Sequence, residues 1–407
     1  MIFYVTGRTL PFLDPTPGNT GILDVQTEPS GATILLDGQE VGTAPATIRF
    51  VKQGWHEVSV TQNGYYPWVK QLFIQAGQVT YAGTIQDAIQ LLPNEPATTI
   101  ASQVSTVANN NNHVLYAREN ELTFYDLTSK KVIRSGMVNS TITHLEPTSQ
   151  TQFWLVDTGN QTKALFNTER WELITLPKSL ATTIHLEFLD QDTVVGLQAN
   201  TLRSWKIGST QSTDLLTDVA AFTFKDNLFY IMTTSSTGLE LATYLQVNNT
   251  LNKDLVLLNQ GLPAGTAQLY LTDQKELFLL SNDSFYRVNQ ELELLKTSVL
   301  HVLLNNSRQR LTFFTPTEIY FYNFYSSRAE LLARSTATLS AADVIPELGY
   351  GFIASQKGSE AIEIDSRGNQ NRYHLFNSSA VTEMLISANE SELLLLANQT
   401  LYSLPIK

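Results

Sequence analysis

The sequence contains no cysteine, which removes disulfides, thiolate metal sites and thiol nucleophiles from consideration. That suits a cytosolic protein, and equally a bacterial surface protein that does without disulfides. Charge is also sparse. Only 16% of the 407 residues are charged, against about a quarter in an average domain. Basic residues are the scarcer kind: 26 Lys and Arg stand against 38 Asp and Glu, a formal net charge of −12. No run of Lys or Arg stands out, so the basic patch that a phosphate backbone needs is missing and nucleic acid is not an expected partner. The same balance argues against adhesion to anionic lipid through charge. Long apolar runs are missing too. No stretch approaches the roughly 18 consecutive apolar residues of a membrane span. The cluster Ile2-Phe3-Tyr4-Val5 is too short for a signal-peptide core. Membrane association is therefore expected only through a segment not present in this chain.

What is present favours strands. Hydrophobic residues make up 43%, ordinary for a folded protein. Ser, Thr, Asn and Gln fill the place of the missing charges, which suits short strands and turns better than long solvated helices. Residues 1–20 carry Pro11, Pro15, Pro17 and Gly18 and read as an extended linker. From residue 21 to 81 short alternating segments follow one another. Leu23 and Val25, then Ala32, Ile34 and Leu36, then Val58 and Val60, then Leu72 and Ile74 fall on one face of successive strands. Asp37-Gly38 and Asn63-Gly64 are turn dipeptides between them. These residues predict a small β-sandwich that folds as a separate unit.

The turn residues carry a resemblance. The segment reads Glu28-Pro29-Ser30-Gly31-Ala32, then Asp37-Gly38, Gly42-Thr43-Ala44-Pro45, Gly54 and Asn63-Gly64-Tyr65. In this order the residues resemble a PEGA domain, with Ser30 in place of the Glu of the family's name. Pro29, Gly31, Asp37, Gly38, Gly42, Pro45 and Gly64 are the expected structural turns. Gly31 is expected to take a positive φ, and Ala32 is small enough to open the next strand against the core. The resemblance implies a surface or envelope module of a bacterial protein, without enzyme activity.

Residues 82–99 read as a connector. Its segment Ala88–Pro93 could form one strand. From 100 to 407 a repeat of three or four short strands starts near residues 100, 141, 183, 218, 267, 299, 339 and 380. The spacing of roughly 32 to 49 residues brackets that of propeller blades. Thr143-His144-Leu145-Glu146 returns 41 positions later as Ile184-His185-Leu186-Glu187. An Asn precedes an alternating strand at Asn120, Asn200 and Asn398, where it tolerates a left-handed turn. The last repeat has room for three strands only. In propellers a strand from the other end of the chain completes such a blade, and Ile89–Leu92 is the expected donor. Eight blades follow from the repeat starts. Seven is the fallback, because the repeat at 218–266 is long and the one at 267–298 is short.

Chemistry-bearing motifs are few. There is no nucleophile elbow, phosphate-binding glycine loop or dinucleotide fingerprint. His56-Glu57 opens like a zinc-protease helix but lacks the second His and falls in a strand. His144, His185 and His301 fall in first strands of their repeats, with Glu383 as an equivalent in the last. First strands line a propeller's channel, so these four are channel candidates, set against the alternative of hydrogen-bonded sheet residues. Trp55, Tyr66 and Trp68 are candidate binding residues, Trp55 by its parity facing outward. The alternative is that Tyr65 and Trp68 cap the small core. No metal, cofactor or catalytic residue is expected.

The sequence thus predicts an all-β protein, a small PEGA-like β-sandwich followed by a β-propeller. The expected role is a non-enzymatic, envelope-associated scaffold on the exported face, binding a protein or a cell-wall polymer. Two alternatives stand beside it: a carbohydrate-active hydrolase using the propeller channel, and an intracellular, cytoplasmic interaction scaffold.

Overall fold

The computed structural model describes residues 19–83, 88–235, 238–247, 250–260, 266–305, 308–377 and 380–407. Apart from Asn19 and Thr20, the expected linker lies outside them.

The N-terminal unit packs two sheets face to face. One orders the strands Gln39–Thr43, Thr33–Leu36, Gly54–Thr61 and Trp68–Ile74. The other orders Ala46–Lys52, Thr20–Val25 and Val79–Tyr81. Period-two alternation drives this arrangement. In Trp68–Ile74 every second side chain is buried, and Leu23, Val25, Ile34, Val58, Val60, Leu72 and Ile74 form the common core, with Leu36 half-buried beside them. Gly31 has φ 94 and no atom within 4 Å of where a Cβ would stand, so its backbone conformation alone calls for glycine. Its N–H donates to the Ala44 carbonyl at 2.7 Å, joining the two expected turns. Asp37 and Gly38 both have positive φ, the conformation of a two-residue hairpin turn.

Among the described residues, eight four-stranded antiparallel sheets follow: sheet 1 (106–137), sheet 2 (142–175), sheet 3 (185–216), sheet 4 (219–260), sheet 5 (267–296), sheet 6 (301–334), sheet 7 (339–376) and sheet 8 (381–405, with 98–102). Their starts agree with the sequence repeats from the second onward. A separate apolar cluster fills each interface between consecutive sheets. The last of these clusters joins Leu394 and Leu401 of sheet 8 to Val107, Val114 and Tyr116 of sheet 1. The sheets therefore close into a ring. Strands packed on both faces are buried along their whole length, as in Arg310–Phe314 and Tyr350–Ser355.

The ring closes with a different strand from the one expected. Thr98–Ser102 pairs antiparallel with Thr400–Pro405, Thr98 opposite Ser403 and Ala101 opposite Leu401. Ile89–Gln90 instead pairs in parallel with Thr27–Glu28 of the N-terminal unit. The reason is alternation. Ile89 and Leu91 point into the sandwich core, while Leu92 turns into the cluster between sheets 7 and 8. The connector is thus a wedge between the two units, and the strand at residue 100 completes the last sheet rather than opening the first.

Candidate functional site

The expected binding aromatics separate into two groups. Trp55 is 66% exposed and meets Phe73, opposite it on the next strand, edge-on at 5.5 Å. Trp68 is buried and Tyr66 half-buried, and both are engaged within the molecule, which corrects their expected role. The Tyr66 hydroxyl donates to the His374 carbonyl at 2.8 Å, and its ring packs on Tyr373 at 5.1 Å. Trp68 is buried in the sandwich core, and its Nε1 donates to Glu363 Oε1 at 2.8 Å. Both are occupied by sheet 7.

Lys70, which sequence reasoning passed over, lies at the centre of this junction. Its side chain has no exposed surface; Nζ stands 2.8 Å from Asp365 Oδ2 and 3.3 Å from Glu363 Oε1, and donates to the Asp365 carbonyl at 2.6 Å. Arg367 pairs with Asp365 and reaches the carbonyls of Tyr81 and Ala82. Tyr373 donates to the Pro67 carbonyl at 3.2 Å and Tyr350 to that of Gln90 at 2.9 Å. Gly368 comes so close to the Gln71 backbone that a Cβ would fall 2.6 Å from the Gln71 oxygen. Burial opposes the Asp365 charge, but hydrogen bonds from Arg367 and Lys70 outweigh it and hold the carboxyl at about 2. Burial pushes Glu363 up, against the pull of Lys70 and Trp68. The asymmetry follows from the count of cations: Asp365 has two partners and Glu363 shares one.

The channel candidates divide as well. His185 and His301 line a central cavity of about 1130 Å³ together with Glu146 and Glu187. His185 Nε2 lies 2.6 Å from Glu187 Oε1, and His144 Nε2 3.3 Å from Glu146 Oε1. In each pair the residues are two apart on one strand and so share a face. The hydrogen bond between them raises the His144 pKa and lowers that of Glu146. Desolvation lowers His301. His144 and Glu383 lie off the cavity wall; burial raises Glu383, whose Oε2 accepts from the Val107 N–H at 3.4 Å. The histidines do not converge: among the described residues no three His, Asp or Glu side chains are grouped to hold a metal ion. His56 is used locally, with Nδ1 2.6 Å from Asp37 and Nε2 2.8 Å from the Lys52 carbonyl. Among the described residues no helix is long and apolar enough to cross a membrane.

Comparison with known proteins agrees with this architecture. Residues 20–86 match the PEGA domain family. The Dos1 propeller superposes with a TM-score of 0.53 at 15% identity, covering 77% of this chain and 95% of that one. Sqt1 of Saccharomyces cerevisiae gives 0.52 at 10% identity, covering 76% and 98%. The computationally designed Ika8 protein gives 0.52 at 12%, covering 75% and 96%. At these identities the likeness concerns the fold alone. No curated protein matches the chain. The chain carries a PEGA domain at its N-terminal side, joined through a buried ionic junction to a β-propeller.

Proposed function

We propose that the protein is a non-catalytic binding scaffold of the cell envelope, whose PEGA domain and propeller are held in one orientation to present a surface to a protein or a cell-wall polymer. The observation that carries this reading is the junction around Lys70. A flexible tether needs no buried lysine, and enclosing one is favourable only where its partners are fixed in place. The strand Trp68–Ile74 explains how binding and docking share one small domain. Trp68 and Lys70 face the propeller side, while Val69, Gln71 and Phe73 face the other way and are exposed. The docked domain thus keeps Trp55 and Phe73 available, and such an aromatic pair can stack on sugar rings or anchor a partner. The PEGA match supports placement at the envelope.

The hydrolase alternative finds less support. Cleavage of a glycosidic bond needs one carboxyl kept protonated beside the substrate. The His144 hydrogen bond instead lowers the pKa of Glu146, one of the carboxyls that line the cavity. The test is cosedimentation of the full chain with isolated bacterial cell-wall polysaccharide, compared with Trp55→Ala/Phe73→Ala, and an assay for new reducing ends. Binding lost in the double variant, without new reducing ends, is expected. Release of reducing ends overturns the non-catalytic reading, and undiminished binding by the variant overturns the aromatic face.

A further inference from the structure

Asparagine is followed by glycine once in the 407 residues, at Asn63-Gly64. This dipeptide forms the turn between the strands Gly54–Thr61 and Trp68–Ile74. The Tyr65 N–H donates to the Gln62 carbonyl at 3.2 Å and closes the turn. Gly64 takes φ 83, with no atom within 4 Å of where a Cβ would stand. Both residues are exposed. Among the described residues nothing accepts the Gly64 N–H and nothing bonds the Asn63 side chain. An unengaged main-chain N–H is open to loss of its proton to hydroxide, and a glycine has no side chain to obstruct its nitrogen. The one Asp-Gly turn provides a comparison within the same domain. At Asp37-Gly38, His56 Nδ1 lies 2.6 Å from Asp37 Oδ2, and the Glu57 N–H donates to Oδ1 at 3.0 Å. Both oxygens are engaged and the His56 hydrogen bond lowers the Asp37 pKa, which favours the carboxylate, a poor electrophile. The Asn63 amide carries no such restraint.

We propose that Asn63 is a site of spontaneous deamidation, and that its isoaspartyl product loosens the connector between the two units. The deprotonated Gly64 nitrogen adds to Asn63 Cγ, and the new C–N bond closes a succinimide ring. The Cγ–Nδ2 bond breaks, and the nitrogen leaves as ammonia with the proton that Gly64 lost. Water then opens the ring at either carbonyl, giving aspartate or isoaspartate; overall, water is consumed and ammonia released. In isoaspartate the main chain runs through the former side-chain methylene, so the path from residue 63 to residue 64 is one atom longer. The connector hangs on this turn. The Asn94 N–H donates to the Gly64 carbonyl at 2.8 Å and the Tyr66 N–H to the Leu92 carbonyl at 2.9 Å, with Tyr65 opposite Pro93. The longer path moves the Gly64 carbonyl relative to Asn94, whereas plain aspartate adds charge and leaves the path unchanged. The inference rests on the turn and its contacts, and stands or falls independently of the scaffold reading.

The test is incubation of the full chain at mildly alkaline pH, followed by peptide mass spectrometry and labelling with an isoaspartate methyltransferase. A synthetic peptide of the sequence 59–68 gives the rate for an unrestrained chain. The mass change of an amide becoming an acid is expected in the fragment that holds Asn63, at a rate within about tenfold of the free peptide. Methyl labelling is expected at the same residue and in excess of any at Asp37. Protection beyond about tenfold, or labelling at Asp37 equal to that at residue 63, overturns the site. The isoaspartyl form, separated by ion exchange, should exchange the Asn94 and Tyr66 amide hydrogens at least about tenfold faster than the unaltered chain. Asn63→Asp, which supplies the charge with an ordinary main chain, should exchange them at close to the unaltered rate. Unchanged exchange in the isoaspartyl form, or equal acceleration in Asn63→Asp, overturns the effect on the connector. The deamidation rate is read on the unaltered protein, so it decides the site whatever the variant does.

Discussion

Trp68, Lys70, Leu72 and Ile74 occupy the inward row of one strand, and three of the four are what such a row ordinarily holds. Lys70 is the exception, and its position was the readable signal: a cation in the register of three buried apolar residues must have a partner from outside the sandwich. What the sequence could not supply was the partner, because Glu363 and Asp365 lie almost three hundred residues away. Removing Lys70 leaves Glu363 without a cation and Asp365 with Arg367 alone, and breaking a buried ion cluster in this way costs about 3–5 kcal/mol. Lys70→Met should therefore destabilise the full chain by about that amount in urea denaturation. Lys70→Met/Glu363→Gln/Asp365→Asn should recover most of the loss. A single-variant loss under about 1 kcal/mol would show that the ions contribute little. Gly31 calls for a different substitution. Its missing Cβ would meet nothing within 4 Å, so any loss in Gly31→Val belongs to the backbone at φ 94 and should exceed about 1 kcal/mol. An unchanged midpoint in the same denaturation would contradict this.

Elements were more legible than their pairings. The repeat starts at 141, 183, 218, 267, 299, 339 and 380 fall within two residues of the strands that open sheets 2 to 8, because each repeat must alternate apolar residues to pack against both neighbours. Turn chemistry was legible for similar reasons. Asn200 and Asn398 do take positive φ, whereas at the first such turn Glu119 takes it instead of Asn120, a shift of one residue that sequence alone leaves open. The closure strand was misplaced because Ile89–Leu92 and Thr98–Ser102 are both short and apolar enough to pair, and only the sandwich core decides which one it captures. Thr98–Ser102 covers the hydrogen-bonding edge of Thr400–Pro405. Replacing 98–102 by a glycine–serine stretch of equal length should expose that edge and promote association between copies. Light scattering should then show concentration-dependent oligomers, with circular dichroism close to that of the unaltered chain. A variant that stays monomeric with an unchanged melting temperature would mean that this strand is not what protects the edge.

At the scale of the whole molecule, the junction changes what is expected of the N-terminal unit. Its own core predicts independent folding, but Trp68 and Lys70 belong both to that unit and to the contact with sheet 7. Val58→Ala should cost about 1–3 kcal/mol by cavity formation, and part of that loss should reach the propeller, because a loosened strand Trp68–Ile74 releases Lys70. In calorimetry the variant should shift the transition of the whole chain. A shift confined to a small separate transition would restore the independent-unit picture.

Acid offers a second way to separate the units without substitution. Asp365 is held at about 2 in the folded protein, below the value of about 4 that an unfolded aspartate takes. Its contribution is therefore fully present above about pH 4 and is lost as pH falls through about 2. Glu363 has the opposite sign. Burial raises its pKa, so it takes up a proton first, and that protonation relieves an unfavourable buried charge rather than weakening the junction. Lys70 then keeps Asp365 as its partner. Only when Asp365 is neutralised does Lys70 become a buried cation without a counter-charge. The units should thus stay docked down to about pH 4 and part between about pH 4 and 2. Trp68, whose Nε1 meets Glu363, provides a local fluorescence signal, and small-angle scattering of the full chain reports the separation itself. Lys70→Met should abolish the acid step, since no lysine is then left to be stranded. Separation already complete near neutral pH, or an acid step unchanged in Lys70→Met, would show that the Lys70–Asp365 pair does not hold the two units together.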